Sequence, residues 1–117
     1  MNYKFNKDED KNYIEIIGDK PEIEILNIFI NSIVIGKKIE LIFKIKEILQ
    51  GNISKFEKIY EIRYININKD NVIICLDADN GGAKASFNTI EFLEMLEKYV
   101  NEYSNMLEVD EEYFYKK

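Results

Sequence analysis

In the second half of the chain apolar and polar positions first alternate at period two, then give way to an unbroken apolar run, and then change to a spacing of three and four. Ile59 to Ile67 alternates, with Tyr60, Ile62 and Tyr64 on one face and Glu61, Arg63 and Ile65 on the other. That spacing predicts a half-exposed strand. Asn68-Lys69-Asp70-Asn71 is turn chemistry, because Asn and Asp bond their own backbone and tolerate left-handed dihedrals. Val72 to Leu76 is apolar on both faces and reads as a strand central in its sheet. Beyond a Gly-rich loop, Asp77 to Lys84, residues Ala83 to Phe87 suit a short edge strand.

A helix follows with a complete start signal. Asn88 is the cap, Glu91 takes the capping-box position, and Phe87 and Phe92 stand at the two ends of a hydrophobic staple. Phe92, Met95, Leu96, Tyr99 and Tyr103 recur as one buried stripe. Glu91, Glu94, Glu97, Lys98 and Glu102 take the other side, with Glu94 and Lys98 spaced as an (i, i+4) ion pair.

The first half is read in the same way. Residues 1–11 suit either an edge strand or a loosely held arm, and Tyr13 to Ile17 a short strand closed by Gly18. Asp19-Lys20-Pro21 looks like a helix entry with Asp19 as cap. The next run is rich in isoleucine, which favours strand by propensity. Its polar residues Glu24, Asn27 and Asn31 nevertheless share one side of a helix, leaving Ile23, Leu26, Ile30 and Val34 on the other beside Phe29 and Ile33. That pattern predicts a helix ended by Gly36. A second helix is expected from Lys38 to Leu49, burying Ile39, Ile42, Phe43 and Leu49 beside Ile45 and Ile48, and stopped at Gln50-Gly51-Asn52. Ser54 to Lys58 reads as a lead into the next strand.

Composition narrows the class. A chain of 117 residues, 46% hydrophobic and 32% charged, is large enough for one packed core. A single cysteine, Cys75, excludes an internal disulfide framework, suits a reducing compartment and is expected as a buried inert thiol. Met1 to Lys20 is polar and acidic, unlike a secretory leader, and the apolar stretch Ile23 to Ile35 is short and interrupted. A cytoplasmic, membrane-free protein is therefore expected. The net charge of −6 argues against direct binding of nucleic acid and is compatible with a basic protein partner. Residues 88–117 hold 8 acids and 3 bases, against 14 and 13 in residues 1–87, so the excess lies near the C-terminus.

Candidate chemistry is sparse. The sequence contains no histidine, which removes the commonest general base and zinc ligand. Asp77 and Asp79 have the spacing that opens a calcium loop, but Gly81 and Asn88 occupy the fifth and twelfth positions, where oxygen ligands are needed. The Gly81-Gly82 pair is explained by turn geometry. No enzyme activity, cofactor or metal is expected. Glu91, Glu94, Glu97 and Glu102 are explained first as a solvated helix face and offer a partner-binding surface second. An acidic, aromatic tail suits partner binding and folding back onto the domain equally. In that tail Glu108, Asp110, Glu111 and Glu112 adjoin Tyr113 and Tyr115, joining charge to the aromatic area typical of binding hot spots.

Glu15-Ile16-Ile17-Gly18-Asp19 leading into a helix, together with the hairpin, short strand and Thr89-Ile-Glu-Phe-Leu-Glu-Met-Leu96 helix, resembles small immunity proteins of bacterial polymorphic-toxin systems. These include contact-dependent growth inhibition systems. The resemblance implies stoichiometric binding of the toxic C-terminal domain of a cognate protein, often a nuclease. A regulatory or adaptor module for another basic partner is the alternative. The expected architecture is α+β in a single domain over residues 1–105, with a tail over 106–117. It has an antiparallel sheet of three to five strands and about three helices packed on it. The chain order is strand, helix, helix, strand, strand, short strand, helix.

Overall fold

In the computed structural model, which describes residues 2–8, 10, 13–79 and 81–106, two antiparallel sheets enclose three helices in one α+β domain. The elements in order are β1 (Tyr3–Asp8), β2 (Tyr13–Gly18), α1 (Glu22–Ser32), α2 (Ile35–Leu49), β3 (Lys55–Tyr60), β4 (Arg63–Asn68), β5 (Asn71–Cys75), β6 (Lys84–Asn88) and α3 (Thr89–Met106). Strands β1 and β2 form a ribbon, and β3-β4-β5-β6 form a meander in sequence order.

Register in the meander follows the inward-facing apolar rows. Phe56, Ile67, Val72 and Phe87 lie in line across the four strands, and Ile65, Ile74 and Ala85 form the next row, which ends at the partly exposed Lys58 of β3. A slip of one residue would turn these rows outward, so burial itself holds the pairing. The ribbon contributes Ile14 and Ile16 to the same core, beside Leu26, Phe29 and Ile30 of α1, Leu41 and Ile45 of α2, and Phe92, Met95, Leu96 and Tyr99 of α3. Each such fully buried large side chain contributes about 1.5–3 kcal/mol relative to exposure.

The expected single strand from Ile59 to Ile67 is two strands. Tyr60 pairs with Arg63, so the chain reverses over Glu61-Ile62, and the segment expected as a lead-in is β3. Glu61 adopts a positive φ of 61°, the conformation that two-residue hairpins require and that Gly or Asn normally supplies. A side chain there costs about 1–2 kcal/mol. The tip is tied down where the Ala78 N–H donates to the Ile62 carbonyl at 2.7 Å.

The helices also depart from the expected details. Asp19 does not cap α1; Pro21 occupies the cap position without a side-chain hydrogen bond, and the entry turn closes through backbone bonds from Ile23 to Lys20 and Glu24 to Pro21. Helix α1 stops at Ser32 because Ile33 turns extended, so Gly36 lies inside α2 and Val34 is left 69% exposed. Asn27 is half-buried rather than on a solvated side. It accepts from the Ile16 N–H at 2.6 Å and donates to the Ile16 carbonyl, completing the free edge of β2 as a third strand would.

Helix α2 is rotated from the expected phase. Its buried line is Lys38, Leu41, Ile45 and Ile48, while Phe43 is 60% exposed and Ile39 and Leu49 also face outward. Apolar residues lie on every side of this helix, and a lysine stands at the head of its buried line.

Candidate partner-binding surface

Helix α3 is the most completely specified element. Asn88 Oδ1 accepts from the Glu91 N–H at 3.0 Å, and the Phe87 and Phe92 rings meet at 6.2 Å, forming the expected cap and staple. Thr89, fully buried, adds an anchor: its hydroxyl donates to the Asn68 carbonyl at 2.8 Å and fixes the helix start on the β4–β5 turn. That turn is itself held by Asn68 Oδ1, which accepts from the N–H groups of Asp70 and Asn71. With Phe92, Met95, Leu96 and Tyr99 buried, the opposite side is presented on a rigid base.

On that side Glu91, Glu94 and Glu97 are exposed and Glu102 is half-buried. At 100° per residue they span an arc of about 140°. The flanks are partly neutralised: Lys46 of α2 lies 3.6 Å from Glu97, and Lys7 of β1 lies 2.6 Å from Glu102. Such solvated pairs contribute about 0–1 kcal/mol and exchange readily for a partner's cations. The expected Glu94–Lys98 pair does not form; the Lys98 ammonium lies over the Tyr3 ring, 5.9 Å from its centroid. The four carboxylates thus share their surroundings with Lys7, Lys46 and Lys98, a weaker negative surface than the helix sequence alone suggests. Glu108, Asp110, Glu111, Glu112, Tyr113 and Tyr115 lie outside the described residues.

The Asp77–Gly82 loop has a structural explanation. The Asp79 N–H donates to Asp77 Oδ1 at 3.1 Å, and the Gly82 N–H to the Asp77 carbonyl at 3.1 Å. Gly81 has a φ of 67°, and a Cβ at Gly82 would stand 2.8 Å from the Asp77 Cβ, so each glycine answers a different constraint. Cys75 is buried under this loop, with its Sγ 3.3 Å from the Asp77 carbonyl oxygen. Among the described residues no group of three His, Cys, Asp or Glu side chains is placed to hold a metal ion, and no helix is long and apolar enough to cross a membrane.

Lys38 and Arg63 did not stand out in the sequence. Lys38 is 5% exposed, donates to the Ile33 carbonyl at 2.7 Å and lies 5.0 Å from the Tyr99 ring centroid. Burial pulls its pKa down to about 8. Tyr99 in turn donates to Asn31 Oδ1 at 2.9 Å, and burial, with Tyr103 and Tyr13 nearby, pushes its hydroxyl up to about 12. Tyr60 is also raised to about 12, by burial first and then by Glu40. Among the described residues no hydrogen bond of normal geometry reaches the Tyr60 hydroxyl, so Glu40 acts on it as a neighbouring charge. The signal for Lys38 was its spacing with Leu41, Ile45 and Ile48, which an apolar-only pattern passes over.

Comparison with protein-family models, characterised proteins and solved structures returned no significant match to this chain.

Proposed function

We propose that this chain is an immunity-type inhibitor that binds a toxic protein domain stoichiometrically and covers its functional cleft. The observation that carries the reading is the exposed glutamate face of α3, held at fixed spacing by the cap, the staple and the buried stripe. A nuclease toxin presents a basic cleft because it must hold phosphates. A rigid acidic helix meets such a cleft without paying for its own ordering, and long-range attraction speeds the encounter. The acidic aromatic tail, Glu108 to Tyr115, would extend the same contact. The resemblance to immunity proteins of polymorphic-toxin systems supports the same assignment.

Co-expression with the C-terminal domain of the protein encoded immediately upstream tests the proposal in cells. The wild-type chain is expected to restore host growth. Reversing Glu91, Glu94 and Glu97 together to lysine is expected to slow association on the order of tenfold or more at low salt and to flatten its salt dependence. Unchanged association in that variant would remove α3 as the contact.

A further inference from the structure

A second feature lies away from the acidic face. The α1–α2 junction and the β3–β4 hairpin tip border an open pocket of about 330 Å³, whose lining includes Ile33, Val34, Lys37, Tyr60, Glu61 and Arg63. Arg63 is the only arginine in the sequence. Its Nε is buried and makes no hydrogen bond, and neither Arg63 nor Lys37 forms an ion pair among the described residues. Arg63 as a whole is half-buried, and a buried guanidinium N–H without a partner costs stability that a ligand accepting from it would recover. In a chain of net charge −6, Arg63 and Lys37 set against Glu61 leave this pocket with a net positive lining.

We infer that this pocket is a carboxylate-binding site, with Arg63 as the forked donor and Lys37 as the second cation. Guanidinium geometry matches a carboxylate through two parallel N–H···O bonds. Glu61 on the rim makes the local balance suit a single negative charge and disfavours a phosphate dianion. Val34 and Ile33 give the pocket an apolar wall, so the fitting ligand joins a carboxylate to an aliphatic group. No side chain caps α2, whose first turn borders the pocket, and this adds partial positive charge on the same side. Glu61 holds its positive φ at the mouth of the site, where backbone strain often marks function.

The lone arginine makes the test direct, because one side-chain Nε–H signal reports the site in a nitrogen–proton NMR spectrum. The full chain is titrated with N-acetyl-leucine, a free carboxylate, and with blocked acetyl-Leu-Glu-Leu-amide, whose only charge is a side-chain carboxylate. N-acetyl-leucinamide and inorganic phosphate serve as controls. The expected result is a saturable shift of the Arg63 Nε–H and of the Val34 to Lys37 amides, with a dissociation constant of about 1–10 mM. A response to the free acid alone assigns a small-molecule source, and a response to the peptide alone assigns a polypeptide side chain. Lys37→Gln, at a side chain that makes no hydrogen bond among the described residues, is expected to weaken binding several-fold while leaving the fold intact. Arg63→Gln is expected to abolish the amide shifts. An unmoved Arg63 signal with both carboxylates at about 50 mM, or an equal response to leucinamide or phosphate, would overturn the assignment.

Discussion

Replacing Asn27 by leucine is expected to lower the stability of the protein by about 3 kcal/mol, a large share of the roughly 5–15 kcal/mol available to a domain of this size. The side-chain amide satisfies both the N–H and the carbonyl of Ile16, a residue only 1% exposed. Leucine at this site leaves both backbone groups without a partner, at about 1–3 kcal/mol each. Its better helix propensity returns only about 0.5 kcal/mol. Asn27→Asp separates the two bonds. Aspartate still accepts from the Ile16 N–H but sets a carboxylate against the Ile16 carbonyl, so an intermediate loss is expected at neutral pH. Urea unfolding of the three proteins measures this order. A leucine variant within about 0.5 kcal/mol of wild type would show that water, not Asn27, completes the edge of β2.

Stability is expected to rise, not fall, as the pH is taken from 8 towards 10. Lys38 in the folded chain releases its proton near pH 8, whereas the unfolded chain holds it to about 10.5. Within that window the unfolded state binds more protons, so unfolding becomes less favourable with increasing pH. Below pH 8 both states are protonated, and the fold carries a buried ammonium at its full desolvation cost. The shift corresponds to about 3 kcal/mol gained across the whole window. From pH 10 the sign reverses. Tyr60 and Tyr99 ionise first in the unfolded chain, since both are raised to about 12 when folded, and stability is lost between pH 10 and 12. A Lys38→Met variant is expected to lose the rise and keep the fall. The difference between the two urea-midpoint profiles isolates Lys38, because every other titrating group is common to both. Parallel profiles from pH 7 to 10 would contradict the buried-ammonium account.

These two residues show where sequence reading reaches its limit. Helix α3 was legible because its signals are local: Asn88 and Glu91 three apart, Phe87 and Phe92 at staple spacing, and an uninterrupted buried stripe. The central position of β5 was legible from its unbroken apolar run. The β3–β4 hairpin was not, because its turn is Glu61-Ile62, residues without turn preference that continue the alternation of both flanking strands. Helix α2 was misphased because isoleucine, leucine and phenylalanine surround it, and tertiary packing chose the line containing Lys38. Asn27 looked solvated from its spacing, since a polar side chain paired to a distant strand edge has no signature in its own helix. Of the candidate surface, the rigid glutamate face was legible. Its partial neutralisation by Lys46 and Lys7 was not, because those lysines come from other elements.

Calorimetric titration of the purified chain into the purified toxin domain, at about 50 and 300 mM salt, tests the proposed inhibition most directly. The account predicts one chain bound per toxin domain, toxin activity lost in proportion to that binding, and an affinity at least tenfold weaker at the higher salt. Toxin inactivated by far less than one equivalent of the chain, or no binding heat with a domain that remains active, would contradict it.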